Sequence, residues 1–138
     1  MDRTSAERFA EDWVAAWNSH DLERILEHYQ EDFEMSSPLI IRIAGEASGK
    51  LRGKPAIREY WRRALAAAPQ LRFELLAIFA GVDSVVIHYR GHRGPSAEVL
   101  HFGSDGKVRA AFAHFCGAMK MLCRVRRTGP CRISSDSD

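Results

Sequence analysis

Apolar side chains recur every four residues near the start of the chain. Phe9, Trp13 and Trp17 fall on one stripe, with Ala6, Ala10 and Ala16 beside it, the spacing of an amphipathic helix. Thr4-Ser5-Ala6-Glu7 has the pattern of a capping box for its first turn. Asn18-Ser19-His20-Asp21 breaks this helix and caps a second, short one, whose apolar face is Leu22, Ile25, Leu26 and Tyr29. Phe33 to Met35 alternates and reads as a first strand ending at Ser36-Ser37-Pro38, with Leu39 to Ile43 extending or following it. Gly45, Gly49 and Gly53 mark residues 44–54 as a loop or hairpin. Pro55 opens a third helix at a position where its missing donor costs nothing, and Ile57, Trp61 and Leu65 form its stripe.

The period then changes from four to two. Leu71, Phe73, Leu75, Ala77 and Phe79 alternate with Arg72, Glu74, Leu76 and Ile78. Val85 to Arg90, Ser96 to Phe102 and Val108 to Phe115 follow as strands. The turns between them are Gly81-Val82-Asp83, Gly91 to Pro95 and Ser104-Asp105-Gly106-Lys107. Connections this short suit antiparallel neighbours, and helices followed by such a sheet predict an α+β domain. Three helices on one face of a sheet that curls around them would leave a tapering cup open to a small molecule. Residues 1–118 form this domain. Residues 119–138 read as a strand extension (Met119 to Val125) and a basic tail.

At 138 residues the chain suits one domain, which hides roughly two thirds of its extended surface on folding. Its 46% apolar and 28% charged residues exclude a disordered chain. There is no apolar run long enough to span a membrane. Met1 to Ser5 leads into a charged amphipathic stretch in place of a signal peptide's apolar segment, which predicts a cytoplasmic protein. The net charge of +2 is local. Five basic and two acidic residues give 119–138 a net +3, leaving fifteen basic and sixteen acidic groups, a net −1, in residues 1–118. A nearly neutral body argues against nucleic acid as a partner. Cys116, Cys123 and Cys131 have neither the even count of a disulfide framework nor the spacing of metal ligands. The glycines fail the dinucleotide and phosphate-loop patterns, so neither a cofactor nor a metal is expected.

Three stretches together resemble the nuclear transport factor 2-like superfamily, and its SnoaL-like branch most closely. They are Trp13 to Leu22 followed by Tyr29-Gln30-Glu31-Asp32-Phe33, then Leu51-Arg52-Gly53-Lys54-Pro55 through Trp61, then Asp105-Gly106-Lys107-Val108. The resemblance implies a cone-shaped, curved antiparallel sheet on three N-terminal helices, a pocket between the two, and homodimers formed through the outer sheet face. This scaffold serves isomerases, polyketide cyclases, dehydratases, epoxide hydrolases and proteins with no chemistry. Matched to the ketosteroid isomerase pattern, the helix-1 tyrosine falls on Trp13, the aspartate base on Ser37 and the buried aspartic acid on Glu98. Only the last keeps a carboxyl group. An unassisted serine does not replace a carboxylate base near neutral pH, so steroid isomerisation by that route is not expected.

Glu98 shares a strand side with Leu100 and Phe102, opposite Ala97, Val99 and His101. Facing a pocket, it would lose solvation and become an acid able to donate or accept a proton; facing outward, it is a glutamate at a dimer interface or in water. His88 and His114 are its candidate partners, and Asp32 matches the family's acidic position at the entrance to the first strand. Trp13, Trp17, Tyr29, Trp61 and Phe112 are candidate ligand contacts or plain core. The expected function is acid–base chemistry on a small apolar carbonyl or polyketide-like compound, as an isomerase, cyclase or dehydratase. The alternative is a noncatalytic binding or dimeric accessory protein.

Overall fold

The computed structural model describes residues 1–117. The strand extension and basic tail expected over 119–138, with Cys123 and Cys131, lie outside the described residues.

Helix α1 spans Arg3–Ser19 and buries Ala6, Ala10, Trp13, Ala16 and Trp17, the stripe set by the four-residue spacing. Its cap is Asp2 and not the Thr4 box: the carboxylate accepts the Ser5 N–H at 2.8 Å. Asp is as good an N-cap as Ser or Thr, and using it starts the helix two residues earlier. His20 ends α1 in the left-handed region at φ 59°. Asp21 then caps α2, Leu22–Leu26. Strand β1 runs Tyr29–Ser36, so Tyr29 belongs to the sheet and not to the second helix.

Residues Pro38–Ile43 form a short helix, α3, where the sequence has Leu39 to Ile43 extending or following the first strand. Ser37 caps it, with its hydroxyl accepting the Leu39 N–H at 3.2 Å, and Pro38 sits in the first turn. Strand β2, Lys50–Arg52, pairs antiparallel with β1. Helix α4, Lys54–Ala67, buries Ile57, Tyr60 and Trp61. Strands β3 (Glu74–Ala80), β4 (Ser84–Gly91), β5 (Gly94–Phe102) and β6 (Val108–Phe115) complete the chain.

The six strands form one sheet in the order β2-β1-β6-β5-β4-β3. This corrects the cone-shaped, wholly antiparallel sheet on three helices. The sheet is mixed, because β1 lies parallel to β6 with Met35 opposite Ala111 and Ser36 opposite Phe112. It is open, with β2 and β3 as its edges. Four helices accompany it. Connection length constrains only consecutive strands, whereas β1 and β6 meet across most of the chain.

Alternation along β4 and β5 separates two faces. Val85, Ile87 and Tyr89 of β4, and Ser96, Glu98, Leu100 and Phe102 of β5, are buried with the helical stripes. The opposite face carries Phe79, Val86, Val99 and Phe112 in one register row across β3 to β6. Phe79 in that row is 60% exposed.

Candidate functional site

Aromatic rings make the heart of the buried layer. Trp13 stacks on Phe73 with centroids 5.5 Å apart and meets Tyr89 edge-on at 5.3 Å. Trp17 meets Trp61 at 5.0 Å, joining α1 to α4. Trp13 Nε1 donates to the Tyr29 hydroxyl at 2.8 Å, so the phenol and indole sealed inside the core satisfy one another. Trp17 Nε1 is buried with no acceptor among the described residues.

Asn18 fixes the outer side of this cluster. Its amide donates to the Phe73 carbonyl at 3.0 Å and accepts the Phe73 N–H at 2.7 Å. A His20 ring nitrogen lies 2.7 Å from the Leu71 carbonyl. The end of α1 thereby holds the extended segment entering β3, and with it the Leu71 and Phe73 side chains.

These elements enclose an open-mouthed cavity of about 180 Å³. All three tryptophans of the chain, Trp13, Trp17 and Trp61, line it. Its inner polar groups are Ser37, Tyr60, Tyr89, Ser96 and Glu98, and the turn between β4 and β5 brings His92 and Arg93 to its exposed edge. The positions matched to the isomerase groups, Trp13, Ser37 and Glu98, therefore converge on one cavity.

Glu98 is 4% exposed. Burial raises its pKa to about 8, and the neighbouring Tyr89 hydroxyl, which favours the carboxylate, offsets only part of that. Burial likewise raises the pKa values of Tyr29, Tyr60 and Tyr89, with the negative charge of Glu98 acting in the same direction. For Tyr60, the Ser37 hydroxyl and the Arg93 guanidinium oppose the rise. The result is a carboxyl group that keeps its proton at neutral pH among three neutral phenols.

The other candidates lie elsewhere. His88 pairs in register with Ala97, on the face opposite Glu98, which pairs with Ile87. His114 also pairs with Ala97 and is exposed on that outer face. Neither lines the cavity with Glu98. Phe112 is on the outer face too, 5.6 Å from the His101 ring. Asp32 has a side chain 75% exposed and sits 3.8 Å from Arg52, the position of a surface ion pair. Tyr29 backs the cavity wall through Trp13 and does not line it.

Tyr60, Phe73, Tyr89, His92 and Arg93 were not among the site residues read from the sequence. Tyr89 carried a usable signal, since it alternates with Val85 and Ile87. Tyr60 carried a signal too, being three residues after Ile57 and so on the same helical face, whereas nothing in the pattern of the 91–95 turn sends Arg93 to a cavity. Among the described residues no cluster of three His, Cys, Asp or Glu side chains could hold a metal ion. No helix among them is long and apolar enough to cross a membrane.

A family model described as a SnoaL-like domain matches residues 10–117. The chain belongs to the SnoaL-like family. Among solved structures, a SnoaL-like protein of unknown function from Burkholderia thailandensis is 54% identical, with a TM-score of 0.81. That match covers 84% of this chain and 98% of the other. A putative isomerase of the SnoaL-like family from Agrobacterium tumefaciens is 19% identical over 83% of this chain and 99% of its own, with a TM-score of 0.66. The epoxide hydrolase/cyclase-like enzyme SalBIII, described in pyran ring formation in the polyether salinomycin, is 17% identical with a TM-score of 0.67. It is matched over 83% of this chain and 93% of its own. These two share the SnoaL-like fold with the chain. No curated protein matches it.

Proposed function

We propose that this SnoaL-like protein is an enzyme that moves protons on a small apolar carbonyl or polyketide-like compound, with Glu98 as the acid–base group. The observation that carries this reading is a single carboxyl group, buried and largely protonated at neutral pH, on the wall of an aromatic cavity. A catalytic acid works best with a pKa near the working pH. At pH 7 about a tenth of such groups are ionised, so one residue supplies both partners of a proton shuttle. The carboxylate takes a proton from the carbon beside a carbonyl, and the C–H pair becomes an enolate. The neutral hydroxyls of Tyr60 and Tyr89 are the donors available to that oxygen. The protonated Glu98 then returns the proton to carbon or to a leaving oxygen. Structures of the same fold include a putative isomerase and an epoxide hydrolase/cyclase-like enzyme.

The test needs no knowledge of the natural substrate. Exchange of solvent deuterium into the α-carbon of small cyclic enones, followed by NMR, reports the proton abstraction directly. The native protein should catalyse exchange in at least one of them, and Glu98→Gln should slow it on the order of 100-fold or more. Equal rates in the two proteins would remove Glu98 from the mechanism.

A second reading is a binding protein without chemistry. It is favoured by the placement of His88 and His114 on the face away from the cavity, which leaves Glu98 without either of its expected histidine partners. Ligand binding unchanged by Glu98→Gln, with no exchange by the native protein, is the outcome that supports it.

A further inference from the structure

The cavity has two chemically distinct ends. At its inner end, burial keeps Glu98 without charge at neutral pH. At its mouth stand His92 and Arg93, the basic side chains of the lining, both exposed on the turn between β4 and β5. Arg90, three residues earlier, is held by Glu74 at 3.7 Å, whereas no acidic side chain among the described residues pairs with Arg93. The charge of Arg93 is nevertheless felt inside, at Tyr60 in the cavity wall. A second, more open cleft shares Phe73 and Gly91 with the cavity and is bordered by Arg72, Arg90 and Glu74, so the charge around this mouth is predominantly positive.

Size narrows the body of the ligand. An apolar cavity of about 150 Å³ holds one benzene molecule. The 180 Å³ here therefore encloses one six-membered ring and a short substituent, and anything larger would project through the open mouth. The walls that would receive the ring are the faces and edges of Trp13, Trp17, Trp61 and Phe73.

We infer that the site takes a monocyclic carboxylic acid, its ring among the indoles and its carboxylate held at the mouth by Arg93. The inference rests on the cavity being the substrate site and adds the charge and size of what enters it. A guanidinium offers a planar fork that matches a carboxylate, and an anion at the mouth is steered inward by the surrounding positive field. The inner end, with its neutral acid and phenols, is left for an uncharged oxygen of the same molecule.

The probes are 3-phenylpropanoate and its primary amide, which differ in charge and hardly in shape. Quenching of tryptophan fluorescence reads binding, because every tryptophan in the chain lines the cavity. At low salt the acid should bind about fivefold more tightly than the amide, the worth of one partly exposed ion pair. That preference should fade at 1 M salt and vanish in Arg93→Gln, while Arg93→Lys keeps part of it. Arg93 is exposed on a turn, so these variants leave the core intact. An amide that binds as tightly as the acid, or a preference that survives Arg93→Gln, would overturn the inference and leave the proton-transfer reading in place. If neither probe binds, the cavity is not a site for such single-ring acids and the inference falls, while solvent-deuterium exchange into cyclic enones still decides the proton-transfer reading.

Discussion

Desolvation outweighs every other influence on the Glu98 carboxyl. Its carboxyl sits near pKa 8 when folded, against 4.5 for an unburied glutamate. Below 4.5 both states hold the proton and stability is unaffected. Between 4.5 and 8 the unfolded chain releases a proton that the folded chain keeps, so stability falls as pH rises, by roughly 1.4 kcal/mol for each pH unit. Above 8 the difference is constant. Thermal melts should therefore show the native protein losing several kcal/mol across that window relative to Glu98→Gln, which has nothing to ionise. Parallel stability curves for the two proteins would mean that the carboxylate is as comfortable inside as in water. Trp17 Nε1, a buried donor without an acceptor among the described residues, stands in the same layer.

Elements were legible in the sequence where one period persisted for three or more turns or alternations. The Phe9–Trp13–Trp17 and Ile57–Trp61–Leu65 stripes are α1 and α4, and strand β6 runs Val108–Phe115 as read. Helix α3 was not legible, because six residues rich in isoleucine fit either period, and only the Ser37 cap and Pro38 favour the helix. The parallel pairing of β1 with β6 leaves no local mark at all. The site divided along the same line. Strand parity placed Glu98 and Leu100 together, but choosing which side faces the helices needed the whole fold, and His88 and His114 fell on the other side. Asn18 is where two elements are tied with side-chain specificity. Asn18→Ala would strand the Phe73 N–H and carbonyl, costing about 1–3 kcal/mol in urea denaturation and loosening the Phe73 wall. Unchanged stability would mean that this tie contributes nothing to docking α1 on β3.

For the molecule as a whole, an open mixed sheet with helices over one face separates two surfaces of different character. The covered face encloses aromatic rings, a neutral acid and a mouth bordered by arginine. The other carries histidines and a row of apolar side chains outside that cavity. Membership in the SnoaL-like family accounts for the frame. The cavity's particular chemistry comes from residues of this chain, and its centre is the protonation state of one group. The most direct measurement is a titration of the Glu98 side-chain carboxyl by carbon-13 NMR, assigned by its loss in Glu98→Gln. A midpoint near pH 8 agrees with a buried acid ready for proton transfer. A midpoint near 4.5 would contradict the account, because a carboxylate already ionised at neutral pH cannot be the acid on which the proposed chemistry depends.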